Sequence, residues 1–132
     1  MANGDINTTT LTIANGAATS DAAQVRWMDV VGLVLPAAWT AAGIAFTVSP
    51  DGGTTYYPVK RPEVGTTTAP IAVKNLELLA ADIPTGTATF IPLHPDWFRG
   101  ATHVKVLSQT AGSPVTQGAA RSLILVTRAP AS

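Results

Sequence analysis

The chain has 132 residues, eight basic and eight acidic side chains that cancel, and no cysteine. This length fits one domain with a core of its own. The absence of cysteine excludes disulfides and thiolate metal sites, and the balanced charge argues against the clustered Lys and Arg that grip nucleic acid.

Only 12% of the residues are charged, about half the usual share. Thr, Ala, Gly and Pro take their place, favouring strands and turns. A surface so poor in charge fits a β-domain with a Thr-rich exterior. It equally fits a surface covered in an assembly, since charge is what keeps free proteins dispersed. The N-terminal MANGDINTTT lacks the basic region and apolar core of a signal peptide. No apolar run approaches the roughly 20 residues that cross a bilayer. No membrane partner is therefore expected.

Residues 1–7 are polar and read as a flexible arm, with Asn3 and Asp5 as candidate contacts. Such an arm can add a strand to a neighbour's sheet edge. Residues 8–14 form a first strand with Leu11 and Ile13 on one face, and residues 15–22 a loop. Residues 24–35 are nearly continuously apolar, Trp27 included, which predicts either a strand covered on both faces or one with a bulge near Gly32.

Residues 43–49 alternate, with Ile44, Phe46 and Val48 on one face. Pro50-Asp51-Gly52-Gly53 then turns the chain, because Pro presets φ, Asp bonds its own backbone and Gly accepts positive φ. A four-residue loop pairs Phe46 with Tyr57 and Ile44 with Val59, whereas a three-residue loop pairs Phe46 with Tyr56. The first places more apolar area on one face and is favoured, which turns Tyr57 inward and Tyr56 outward.

Residues 61–68 read as a loop. Residues 70–79 are ambiguous, since Ile71 and Val73 alternate as a strand while Leu76, Leu79 and Ala80 could lie on a helical turn, and a strand running into a turn is preferred. Residues 88–93 form a short strand. Pro95 and Gly100 bracket a single helical turn with His94 just outside it. Residues 102–108 alternate with Val104 and Val106 inward, residues 109–119 are a loop, and residues 121–127 (RSLILVT) form a buried last strand. The result is an all-β chain of about eight strands, folded as an antiparallel two-sheet β-sandwich of jelly-roll type. The domain spans residues 8–128, with a tail at 129–132.

An ordered set of segments resembles small virion structural proteins of tailed bacteriophages. It comprises T-I-A-N-G-A-A-T-S at 12–20, L-P-A-A-W-T-A-A at 35–42 and S-x-D-G-G-T-T-x-Y at 49–57. These are followed by H-P-x-x-F-x-G at 94–100, V-K-V-L-S at 104–108 and R-S-L-I-L-V at 121–126. The similarity covers residues 11–128 and departs from the commoner pattern at 73–87, which is longer here.

The resemblance implies a capsid decoration, or cement, protein made in the host cytoplasm and carried on the outer capsid surface. It would bridge subunits of the major capsid protein, as a homo-oligomer with a trimer favoured, and without catalytic residues or cofactors. The rival expectations are a carbohydrate-binding module of a head or tail fibre and a tail or neck structural subunit.

The residues themselves specify no reaction. His94 and Asp96 suggest no third metal ligand by spacing, and His103 is expected to face out beside Lys105. Asp51 lacks the spaced oxygen ligands calcium requires. Gly52-Gly53 precedes no helix, so phosphate-loop motifs fail. No nucleophile elbow occurs, and Glu63 and Glu77 do not make a glycosidase pair. Among the aromatic residues, Trp39 and Phe98 are expected to close the ends of the sandwich. Tyr56 and Trp97, with Asp51 at the turn, are the candidate contacts.

Overall fold

A computed structural model of the protein describes residues 5–63 and 72–129. Its strands are β1 (Ile6–Ile13), β2 (Ala23–Gln24), β3 (Asp29–Leu35), β4 (Gly43–Ser49), β5 (Tyr57–Pro58) and β6 (Lys60–Glu63). They continue with β7 (Ala72–Asn75), β8 (Glu77–Leu78), β9 (Thr89–Pro92), β10 (His103–Thr110), β11 (Ser113–Pro114) and β12 (Arg121–Arg128).

One sheet has the order β1-β12-β3-β9. The other has the order β11-β10-β4-β5, with β2 also on β10 and β8 also on β4. All pairings are antiparallel, and β6 and β7 form a separate two-stranded ribbon. Taking β1, β2, β3, β4, β5, β9, β10 and β12 as eight successive strands, the first sheet runs first-eighth-third-sixth. The second runs second-seventh-fourth-fifth. That is jelly-roll order, so the all-β sandwich expected from the sequence is the fold observed.

The core lies between the sheets because side chains alternate across each strand. Leu11 and Ile13 of β1, Leu33 and Leu35 of β3 and Leu123 and Leu125 of β12 point inward from one sheet. Ile44 and Phe46 of β4 and Val104 and Val106 of β10 meet them from the other. Trp39 and Phe98 are both buried, and Phe98 sets its ring edge-on to Phe46 at 5.1 Å and 88°. A bulge lies in the β3–β12 pairing, where Val126 opposes Gly32 but Thr127 opposes Val30. This is the irregularity expected near Gly32. On the outer side a Cβ at Gly32 would clash with the Phe90 ring, so Gly is what lets Phe90 lie across the sheet.

Several expectations are corrected. The apolar run at 24–35 is two strands in different sheets, β2 and β3, joined by a corner in which Trp27 is 87% exposed. The β4–β5 register is two residues off: Val48 opposes Tyr57, and the Val59 N–H donates to the Phe46 carbonyl at 3.0 Å. A shift of two preserves the faces, so Val59 is buried as expected. Tyr57, however, slides to the sheet's end and is 53% exposed rather than inward. Residues 61–63, expected in a loop, belong to β6. β1 opens at Ile6, two residues earlier than expected.

The Pro95–Phe98 turn is 3-10 in character, with Pro at its start and Gly100 at φ 87° after it. Residues 109–119 contain a tight hairpin in which Ala111 and Gly112, both at positive φ, join β10 to β11. The Glu77 carboxylate receives the Ala111 and Gly112 N–H groups at 2.9 and 3.1 Å and the Gln109 amide at 2.8 Å. Partial burial pushes the Glu77 carboxyl up, but these donors outweigh it and hold it below the ordinary value.

Candidate interaction surface at one end of the sandwich

Three loops meet where β4 ends and β3 begins. The first is the corner from β2 to β3. Its Met28 N–H donates to the Val25 carbonyl at 3.2 Å, closing a four-residue turn whose third residue, Trp27, has φ 65°. That position favours Gly or Asn, and a bulky side chain there costs about 1–2 kcal/mol of backbone strain. Trp27 recovers little of this by burial, since its ring stands in solvent.

The second loop is the β4–β5 tip. The Ser49 hydroxyl donates to the Asp51 carboxylate at 2.7 Å, and the Thr55 N–H donates to the same oxygen at 2.9 Å. The Gly53 N–H in turn donates to the Ser49 hydroxyl oxygen at 2.9 Å. The third loop runs from His94 to Thr102. His94 stacks obliquely on Trp97 at 5.6 Å, and Arg99 holds Asp96 at 2.6 Å and Asp29 at 3.7 Å. The Asp96 carboxyl is lowered first by its hydrogen bond from Arg99 and then by that cation's charge.

Thr102 ties the three loops together. Its carbonyl accepts the Val25 N–H at 2.8 Å, and its N–H donates to the Ser49 carbonyl at 2.7 Å. Its hydroxyl donates to the Ser49 carbonyl at 3.0 Å while receiving the Gly52 N–H at 3.0 Å. The end is thus a set of loops locked to one another by backbone bonds, and the side chains it presents are held in place.

Four of the five candidate contacts gather at this end. Asp51 and Tyr56 sit on the β4–β5 tip and Trp97 on the third loop. Asp5 leads into β1, where Ile6 lies in register with Arg128 and Arg128 with Asp29. The Asp5 carbonyl also accepts the Ala129 N–H at 2.9 Å. Asn3 lies outside the described residues. Tyr56 is half-buried with the Lys105 ammonium 4.3 Å from its ring centroid, so it is a supported aromatic rather than a free one. Trp97 is likewise half-buried. Among the described residues no group of three or more His, Asp or Glu side chains is placed to hold a metal ion.

The residue that sequence reasoning missed is Trp27. The available signal was the pair Arg26 and Asp29, which interrupt an otherwise apolar run at the point where the chain changes sheets. Trp27 forms a wall of two open hollows. One, of about 470 Å³, is bounded by Arg26, Gly100, Ala101 and Thr102, and the other, of about 320 Å³, lies toward Asp29 and Arg99.

Asp51 gives this end an acid response. The Ser49 hydroxyl first, then the Thr55 N–H, lower its carboxyl from 3.8 to about 2. A depressed folded value means that its contribution is complete above the unfolded value and is lost as pH falls through the folded one. The Gly53 and Thr55 amides are therefore expected to lose exchange protection between about pH 4 and pH 2. Asp51→Asn should remove that transition and leave the β10–β12 amides unaffected, as amide NMR across this range would show.

Comparison with protein-family models, with curated proteins and with solved structures finds no match to this chain.

Proposed function

We propose that this chain is a non-enzymatic structural protein of a tailed-bacteriophage virion, a capsid decoration protein that bridges major capsid protein subunits. The ordered segments at 12–20, 35–42, 49–57, 94–100, 104–108 and 121–126 support the virion reading by resemblance. The observation that carries a bridging role is the outer side of the β1-β12-β3-β9 sheet. By register it presents Thr8, Thr10 and Thr12 beside Ile124 and Val126, then Val34, then Phe90 and Pro92. Among the described residues of these strands, charge on this side is confined to the end where Arg128 opposes Asp29. A sheet side so free of charge desolvates cheaply against a neighbour, and binding to the assembled shell opposes its disassembly by mass action.

The test uses shells stripped of the protein and then given it back. Thr10→Lys and Ile124→Lys place a cation on the uncharged side and are expected to reduce shell occupancy at least about tenfold, because the buried charge has no partner. The isolated variants should stay folded, checked by their unfolding midpoints. Added wild-type protein should raise the temperature at which shells rupture. Equal rupture with and without it removes the cement role. A particle map placing the chain at the tail or neck would replace this reading with a tail structural one.

A further inference from the structure

We propose that the corner at Arg26-Trp27 is a binding site for an acidic glycan, with Trp27 as the stacking platform and Arg26 as the carboxylate-binding group. The site uses the loop end, not the uncharged sheet side, and does not depend on the virion reading.

Trp27 combines two features that are each unfavourable for the free protein. The residue is 87% exposed, and its backbone occupies φ 65° in a turn that Gly or Asn would fill without strain. Strain of this kind persists where the surroundings impose it and clusters at binding sites. Here the surroundings are explicit: Val25 is bonded to Thr102, and Thr102 to Ser49, so the ring stands on a rigid support.

The hollows say what kind of ligand fits. At about 470 and 320 Å³ they are of ligand size, yet both are open and share Trp27 as a common wall. A small apolar ligand favours an enclosed pocket. A projecting aromatic ring between two open hollows suits an extended polar chain that lays a C–H face on the ring and keeps its hydroxyls toward water and polar side chains. A pyranose oligomer has that form.

Charge narrows the class. Arg26 makes no hydrogen bond or ion pair with any described residue, although its guanidinium reaches to the β4–β5 tip beside Gly52. Arg99, on the other side of Trp27, is already occupied by Asp96 and Asp29. Asp51, the acid near Arg26, takes its hydrogen bonds from Ser49 and Thr55. An unpaired guanidinium beside the first hollow matches a carboxylate, which it can hold with two parallel N–H bonds. The ligand is therefore a uronic-acid-type sugar unit within a polymer, with neutral units stacked on Trp27.

The site can be tested on the full chain by titration calorimetry and by mapping amide shifts. The probes are a hyaluronan tetrasaccharide, which carries glucuronate, and the neutral cellotetraose. The acidic sugar is expected to bind with a Kd of about 1 mM or tighter and to shift the amides of residues 26–28 and 100–102. Trp27→Ala should weaken binding at least about tenfold while Trp27→Phe keeps most of it, as stacking requires. Arg26→Gln should abolish the preference for the acidic over the neutral sugar.

The unfolding midpoint of each variant should match that of the wild type, since Arg26 and Trp27 are both exposed. Failure of both sugars to shift these amides at about 10 mM overturns the proposal. So does binding that survives Trp27→Ala unchanged. A purified capsid protein that binds the wild type but not Trp27→Ala, with no sugar bound, would overturn the glycan assignment and make Trp27 a protein anchor.

Discussion

Phe46→Ala is expected to lower the unfolding free energy by about 4 kcal/mol, a shift of roughly 2–3 M in the urea midpoint. Phe46 is 1% exposed at the centre of β4, where Val106 opposes it from β10. On its other side the Val59 N–H bonds to its carbonyl, and the Phe98 ring stands edge-on at 5.1 Å. Truncation removes the ring and leaves a cavity walled by both sheets, which backbone hydrogen bonds on each side prevent from collapsing. It also frees Phe98, and with it the third loop of the interaction end. If the Ala variant does not fold, Phe46→Leu provides the scale at about 1–2 kcal/mol, because most of the volume is kept. A loss below about 1 kcal/mol for Ala would mean that the two sheets do not close over this residue.

Gln117→Ala is the second large effect, at about 3 kcal/mol. Gln117 is almost fully buried at the opposite end of the sandwich, and each of its polar atoms is engaged. Its carbonyl oxygen accepts the Thr40 N–H at 2.9 Å and the Arg121 Nε–H at 3.2 Å. Its amide donates to the Ser108 hydroxyl at 2.7 Å and to the Thr40 carbonyl at 3.3 Å. The backbone around it is held as well, through the Gln117 N–H to the Ala17 carbonyl and the Gly16 N–H to the Gln117 carbonyl, both at 2.9 Å. One side chain thus joins the distant Thr40 segment to the end of β10 and the start of β12. Removing it leaves the buried Ser108 hydroxyl and the Thr40 backbone without their partners, and an unsatisfied buried group costs more than a net hydrogen bond contributes. Amide exchange at Thr40 should accelerate more than exchange at Phe46. Equal acceleration at both would show a global effect and not the loss of this network.

Gln117 also marks a limit of reading the chain. It lies in a segment of small and polar residues that reads as a plain loop, because nothing local distinguishes a buried glutamine from a solvated one. Its partners Thr40 and Ser108 are 77 and 9 residues away. Trp27 shows the same limit from the other side. An apolar ring in an apolar run reads as core, and only the change of sheet between β2 and β3 exposes it.

The β4–β5 hairpin was half legible. Its turn chemistry, its faces and the burial of Phe46 and Val59 follow from side-chain alternation. Its loop length does not, because hydrogen bonds among Ser49, Asp51 and Thr55 organise a longer tip, and the first β4–β5 pair is Val48 with Tyr57, not Ser49 with Thr54. Of the candidate contacts, Asp51 and Trp97 could be named from the Pro-Asp-Gly-Gly and Pro95-to-Gly100 turn signals, whereas Tyr56 rests on a register that turns Tyr57 inward, and Tyr57 is the more exposed of the two. That the three share one end with Asp5 and Trp27 could not be read from such signals.

The sequence by itself determined the strand faces of β4 and β10, the burial of β12, the Pro95-to-Gly100 turn and the two-sheet sandwich, and it offered the bulge near Gly32 as one of two alternatives. These depend on local periodicity and on backbone preferences of Pro and Gly, which act within a few residues. Only the tertiary structure decided that β1 pairs with β12, that the run at 24–35 breaks at Trp27, and that three loops lock at Thr102. Those outcomes rest on backbone bonds such as Val25 to Thr102, whose partners are chosen by how two sheets close over a shared core. Local sequence carries no record of that closure.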